Sequence, residues 1–252
     1  MPGAVISSCA AARTSTRSRS SIACRSIPTW PGDEVRRNAE RGAHAVCFTE
    51  IPPFLGLPSV HSGEWDPFFA VCAETDTVVC MHIGSSSKMP STSEDAPAGV
   101  GSTLTYMNAA MSLTDFLMSG VFERFPNLTV AYSEGQIGWI PYVLERADKV
   151  WDDNRAWAGV ADKVPNPPSS YYRDHVVEPP DVWQKRLPAK YRDVGPRTMR
   201  APLGESDYPH SDSTWPHTKK IAADIMRDLT DDQVYKVCRG NAIRMLSLDL
   251  EY

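Results

Sequence analysis

Two stretches decide the fold: Val78-Val-Cys-Met-His82-Ile-Gly84, and Asn127-Leu-Thr-Val-Ala-Tyr-Ser133-Glu134. Each is a short apolar run rich in strand formers that closes on a polar residue. Runs of this length between turn-forming residues read as buried strands. A third, His44-Ala-Val-Cys-Phe-Thr-Glu50, stands upstream. Between them the period changes. The segment from Trp65 to Asp76 reads as a helix with Trp65, Phe68, Phe69 and Cys72 on one face. After a Ser-rich loop over 85–102, a single long helical pattern runs from Thr103 to Phe122, with Leu104, Met107, Met111 and Leu117 at core spacing. Gly138 to Asp152 reads as a further helix. Strands alternating with helices are the signature of a parallel α/β sheet.

Working outward, Pro31 to Arg41 forms a short helix with Asp33 and Glu34 in its first turn, and Gly42 stands at its stop. Near the other end, Thr230-Asp-Asp-Gln233 is a capping box, and Gly240 interrupts the helix that follows it.

The chain has 252 residues, close to the roughly 250 of a complete (β/α)₈ barrel. A net charge of −5 argues against a dedicated nucleic-acid binder, which carries a basic face. The sequence holds no apolar run long enough to cross a membrane. Its six cysteines form no CxxC pair, and Cys47, Cys72 and Cys80 lie inside apolar runs. They read as buried free thiols of a cytoplasmic, reducing compartment.

Two intervals have a different texture. Residues 1–32 hold four arginines, seven serines and no acid. This composition suits a transit peptide, a disordered tail or an out-of-frame leader. A disordered or non-native leader over 1–27 is the expectation, followed by one domain over 28–252. Residues 178–204 hold five prolines and six basic residues without a strand-length apolar run, so they read as an irregular insert.

Three polar positions directly follow strand-like runs: His82, Glu134 and Asp207, the last after Leu203-Gly-Glu-Ser. In a parallel barrel the carboxyl ends of the strands open onto one face. A histidine and an aspartate meeting there suit a divalent metal. Taken singly, a strand-end histidine is more often a structural hydrogen-bonder.

Longer motifs point further. Met81-His-Ile-Gly-Ser-Ser-Ser87, Gly120-Val-Phe-Glu-Arg-Phe-Pro126, Ser133-Glu-Gly-Gln-Ile-Gly-Trp139 and Glu205-Ser-Asp-Tyr-Pro-His210 resemble the amidohydrolase-2 family of metal-dependent barrel proteins, which includes decarboxylases of aromatic carboxylates. The resemblance covers about Ser26 to Asp174 and Glu205 to Leu248. It implies a (β/α)₈ TIM barrel. It also implies a divalent ion, zinc first and manganese second, held by His82 and Asp207, with Asp207 also moving a proton. Glu134 falls where related decarboxylases carry a catalytic histidine. His210 becomes a candidate catalytic or substrate-contacting group, and a plain loop histidine is the competing reading.

The departures from the family are equally specific. Its strand 1 carries His-x-His or Glu-x-His, yet His44 is the only histidine in residues 1–50. The strand 7 to strand 8 region does not match either, although His175-Val-Val177 resembles the start of strand 7. The barrel is therefore expected to be incomplete, as truncated or frameshifted coding would leave it. The resulting expectation is a metal-dependent hydrolase or carboxy-lyase acting on a small, aromatic or apolar carboxylate, amide or ester. The alternative is a catalytically inactive partial barrel. No nucleic-acid or membrane partner is expected, and open sheet edges leave room for a homodimer.

Overall fold

The computed structural model describes residues 31–136, 138–176, 208–209, 214–227 and 229–250. The expectations placed on the leader 1–27, on the insert 178–204, and on Asp207 and His210 lie outside these residues.

The order of elements is α1 (Pro31–Ala39), β1 (Ala45–Phe48), a 3-10 turn (Pro52–Leu55), α2 (Asp66–Glu74), β2 (Val78–His82), α3 (Ala98–Leu104), α4 (Tyr106–Met118) and α5 (Val121–Arg124). Then follow β3 (Val130–Ser133), α6 (Ile140–Asn154), α7 (Pro168–His175), α8 (Thr218–Met226), α9 (Asp231–Tyr235), a π turn (Lys236–Gly240) and α10 (Asn241–Met245). Among the described residues the sheet has three strands in the order β1-β2-β3. All pairings are parallel, with Cys47 beside Cys80 and His82 beside Ser133. Beyond β3, Val176 makes a single parallel bridge to Val130.

The pleat sorts side chains to two faces. Val46, Phe48, Val79, Met81 and Val130 point into the main apolar cluster with Phe68, Phe69, Phe116 and Phe122. There the rings of Phe48 and Trp65 meet edge-on at 4.9 Å, and those of Phe69 and Phe116 at 5.7 Å. Helices α2, α4 and α5 thus cover one face of the sheet. The opposite face carries Ala45 and His82, both exposed, with Cys47 exposed and Cys80 half-buried. Helices α2 and α5 are also tied by a two-pronged ion pair, Arg124 to Asp66, with both nitrogen–oxygen distances at 2.9 Å.

Three expectations need correction. The pattern over Thr103 to Phe122 is three helices. The chain breaks after Leu104 and again at Gly120, whose φ of +73° is left-handed. A Cβ at Gly120 would stand 2.7 Å from the Lys163 carbonyl oxygen, so only glycine fits that turn. Met107 and Met111 are exposed, whereas Asn108 and Ser112 are buried. The inward face of α4 is partly polar because Asn108 donates to Ser86 Oγ at 3.1 Å and to the Lys88 carbonyl at 2.8 Å. Of the three cysteines expected inside, only Cys72 is buried, because Cys47 and Cys80 point to the open face. The strand start expected at His175-Val-Val177 falls one residue later: His175 ends helix α7, with its Nδ1 2.7 Å from the Leu128 carbonyl and its ring stacked on Phe122, and Val176 then pairs in parallel with Val130 beside β3.

The expected capping box is present. Thr230 Oγ1 accepts from the Gln233 amide, and Gln233 Oε1 accepts from the Thr230 amide. Gly240 closes the π turn, where a Cβ would stand 2.7 Å from the Tyr235 ring.

Candidate active site

Because β1, β2 and β3 are parallel, their carboxyl ends share one edge, and each is followed closely by an ionisable residue: Glu50, His82 and Glu134. The imidazole of His82 is oriented by the next residue of its own turn. Its Nδ1 lies 2.7 Å from the carbonyl oxygen of Ile83. A carbonyl can only accept, so Nδ1 carries a proton and donates. That leaves Nε2 facing Glu134 Oε1 at 3.3 Å. A bare Nε2 lone pair against a carboxylate oxygen is repulsive. The contact is favourable when Nε2 carries a second proton, or when a cation sits between the two donors.

Glu134 is itself in an unusual conformation. Its φ is +60°, a region where a non-glycine residue costs about 1 kcal/mol. The next residue explains how tightly the turn is held. A Cβ at Gly135 would stand 2.8 Å from Cβ of Ala109 on α4, and the Gly135 carbonyl accepts from Trp139 Nε1 at 2.8 Å.

Sequence reasoning placed His82 and Glu134 together, and the structure does so. It missed Glu50, which it treated only as the last residue of a strand. Glu50 is 2 % exposed. Its Oε2 accepts from the backbone N–H of Gly84 at 3.0 Å, whereas its buried Oε1 has no hydrogen-bond partner among the described residues. Burial pushes the carboxyl up to about 7, opposed by the Gly84 hydrogen bond and by the charge of nearby His82. The available signal was positional: Glu50 is the first acid after an apolar strand run, as Glu134 is.

The geometry can be tested against a divalent ion. Zinc holds nitrogen and oxygen donors at roughly 2.0–2.2 Å. Two such donors at angles between 90° and tetrahedral lie about 3.0–3.4 Å apart, and 3.3 Å falls within that range. The donor types and their spacing therefore fit the group. Among the described residues, no cluster of three His, Cys, Asp or Glu side chains suited to a metal occurs.

A family model described as amidohydrolase matches residues 22–248. The chain belongs to the amidohydrolase-2 family. Members of this family are metal-dependent and of the TIM-barrel type.

Solved structures share its fold. An amidohydrolase from Mycobacterium avium subsp. paratuberculosis K-10 is 20% identical with a TM-score of 0.62, matching 87% of this chain and 55% of its own. The 5-carboxyvanillate decarboxylase from Sphingomonas paucimobilis is 19% identical with a TM-score of 0.62, over 86% of this chain and 62% of its own. A dihydroxybenzoic acid decarboxylase from Polaromonas sp. JS666, solved with manganese and the inhibitor 2-nitroresorcinol, is 17% identical with a TM-score of 0.51, over 76% of this chain and 56% of its own. This amidohydrolase chain thus spans 55% and 62% of the length of the first two. Comparison with characterised protein sequences gave no match. No helix among the described residues is long and apolar enough to cross a membrane.

Proposed function

We propose that this amidohydrolase carries a divalent-metal site at the carboxyl ends of its strands and acts as a non-oxidative decarboxylase of a small aromatic carboxylate. The observation that carries the reading is the His82–Glu134 pair, at a spacing two donors to one ion would have. His82 would hold the ion through Nε2, with Asp207 as the second ligand that the family resemblance implies. Zinc and manganese both accept this donor set. The chemistry such an ion supplies when bound is Lewis acidity toward substrate oxygens.

The chain's own residues do the rest. The Ile83 carbonyl fixes the Nδ1–H tautomer of His82, which keeps Nε2 as a donor and sets the ring plane. Glu134, set beside it by the left-handed turn, would hold the same ion through Oε1. Asp207 is the proton carrier in this reading, and His210 a substrate contact. Decarboxylation is preferred over hydrolysis because two of the structures that share the fold are named as decarboxylases of hydroxylated benzoates.

A second reading, an inactive partial barrel, is favoured by the ligand count. The described residues offer a pair of donors rather than three, and residues 1–50 contain no His-x-His or Glu-x-His. Carbon dioxide release from a panel of hydroxylated benzoates, with manganese or zinc added, separates the two. Turnover that disappears in His82→Ala supports the enzyme. Absence of turnover across the panel and both metals supports the remnant.

A further inference from the structure

We infer that Glu50 is a positioning residue: it anchors the turn that follows β2, so that His82 is presented to Glu134. The inference rests on the reading of His82 as a metal ligand.

The argument starts at the two strand ends. Phe48 and Met81 are the last paired residues of β1 and β2, and beyond them the two chains run on side by side. They do not separate. The Gly84 amide donates to Glu50 Oε2 at 3.0 Å, the Glu50 amide donates to Ser85 Oγ at 3.0 Å, and Thr49 Oγ1 donates to the Ser85 carbonyl at 3.1 Å. Three hydrogen bonds therefore join residues 49–50 to residues 84–85. One of them is accepted by a carboxyl group that is itself almost fully buried.

The stapled turn also contains the carbonyl that orients His82. Ile83, whose oxygen takes the Nδ1 proton, is the residue immediately before Gly84. Gly84 has φ of +81°, a left-handed turn that glycine takes without strain. On its far side, the same loop is pinned to α4 through Ser86 and Lys88 by Asn108. The loop is thus clamped from β1 on one side and α4 on the other, with His82 at its root.

A buried carboxyl with one oxygen unpartnered among the described residues is an expensive way to accept a single amide hydrogen bond. A side chain one methylene shorter loses reach toward Gly84, and an apolar one removes that hydrogen bond. Placement of His82 accounts for a glutamate here.

The test uses the whole chain and four variants: Glu50→Gln, Glu50→Ala, Glu50→Asp and His82→Ala. Manganese affinity is read from free Mn²⁺ by electron paramagnetic resonance. Amide exchange over residues 82–86 is read without metal. Glutamine still accepts from Gly84, so it should keep exchange near wild type and affinity within about threefold. Alanine should expose the Gly84 amide to exchange and weaken manganese about tenfold, the low end for a lost metal-orienting contact. Aspartate keeps the charge and loses reach, so it should behave like alanine; it decides the matter if alanine does not fold. Wild-type exchange and affinity in both alanine and aspartate variants would overturn the inference. So would a variant that only lowers the melting temperature and leaves both readouts unchanged. If His82→Ala binds manganese as wild type does, the metal reading fails. The exchange arm then still decides whether Glu50 anchors the turn.

Discussion

His82 and Glu134 face each other across β2 and β3, Nε2 to Oε1 at 3.3 Å. The parallel register sets His82 beside Ser133, so the residue after Ser133 is the first that can turn its carboxyl toward the imidazole. It does so with a φ of +60°. A side chain placed by backbone strain is held there by its surroundings, and strain of this kind gathers at functional sites.

That strain has a measurable consequence. Glycine adopts the left-handed region freely, so Glu134→Gly should raise the stability of the metal-free protein by roughly 1 kcal/mol while weakening divalent-ion binding. Urea unfolding and metal titration of the same variant check both halves. A variant that is less stable and binds metal normally would detach Glu134 from the site.

Glu50 predicts a pH dependence. Its carboxyl is raised to about 7 in the fold, against about 4.3 for an ordinary glutamate. Between those values the folded state holds a proton that the unfolded chain has released. Its contribution is therefore fully present below about pH 4.3 and is lost as pH rises through about 7. The metal-free protein should lose on the order of 3 kcal/mol across that window from this group. Glu50→Gln should flatten that part of the profile. Urea midpoints at pH 5 and pH 8 for both proteins test it.

The thiols should report the two faces of the sheet. Cys47 is exposed and should react readily with a disulfide reagent at pH 8. Burial pushes the Cys80 thiol up to about 11 and the Cys72 thiol to about 12, so Cys80 should lag and Cys72 should react only on unfolding. Peptide mass spectrometry gives the order, and early labelling of Cys72 would contradict the packing of α2.

Two glycines with the same φ of +73° make a controlled comparison. At Gly56 an added Cβ meets nothing within 4 Å, whereas at Gly120 it meets the Lys163 carbonyl oxygen at 2.7 Å. Gly56→Ala should cost about 1 kcal/mol from conformation alone. Gly120→Ala should cost at least about 1 kcal/mol more, because the clash is with backbone. Thermal unfolding of the two variants measures the difference.

Much of this was legible from local pattern. β2 and β3 are short apolar runs ended by polar residues, and that alone located His82 and Glu134 on one edge. The Thr230–Gln233 capping box needs only four residues and was read directly. The misreadings of α4, Glu50 and Gly120 involve contacts distant in sequence. The exposure of Met107 and Met111 follows from Asn108 reaching back to the 86–88 loop, which no helical period reveals. The importance of Glu50 comes from Gly84, 34 residues away. The break at Gly120 depends on the Lys163 carbonyl. Asp207 and His210, read from motif resemblance, lie outside the described residues, so the pairing of His82 with Asp207 stands as a proposal.

The most direct test of the metal reading is a manganese titration of the whole chain beside His82→Ala, followed by electron paramagnetic resonance. The His82–Glu134 geometry predicts one weak site in the wild type and a loss of affinity of about tenfold or more in the variant. Equal affinity in the two proteins would contradict it, and so would a full equivalent of tightly held metal that survives dialysis in both.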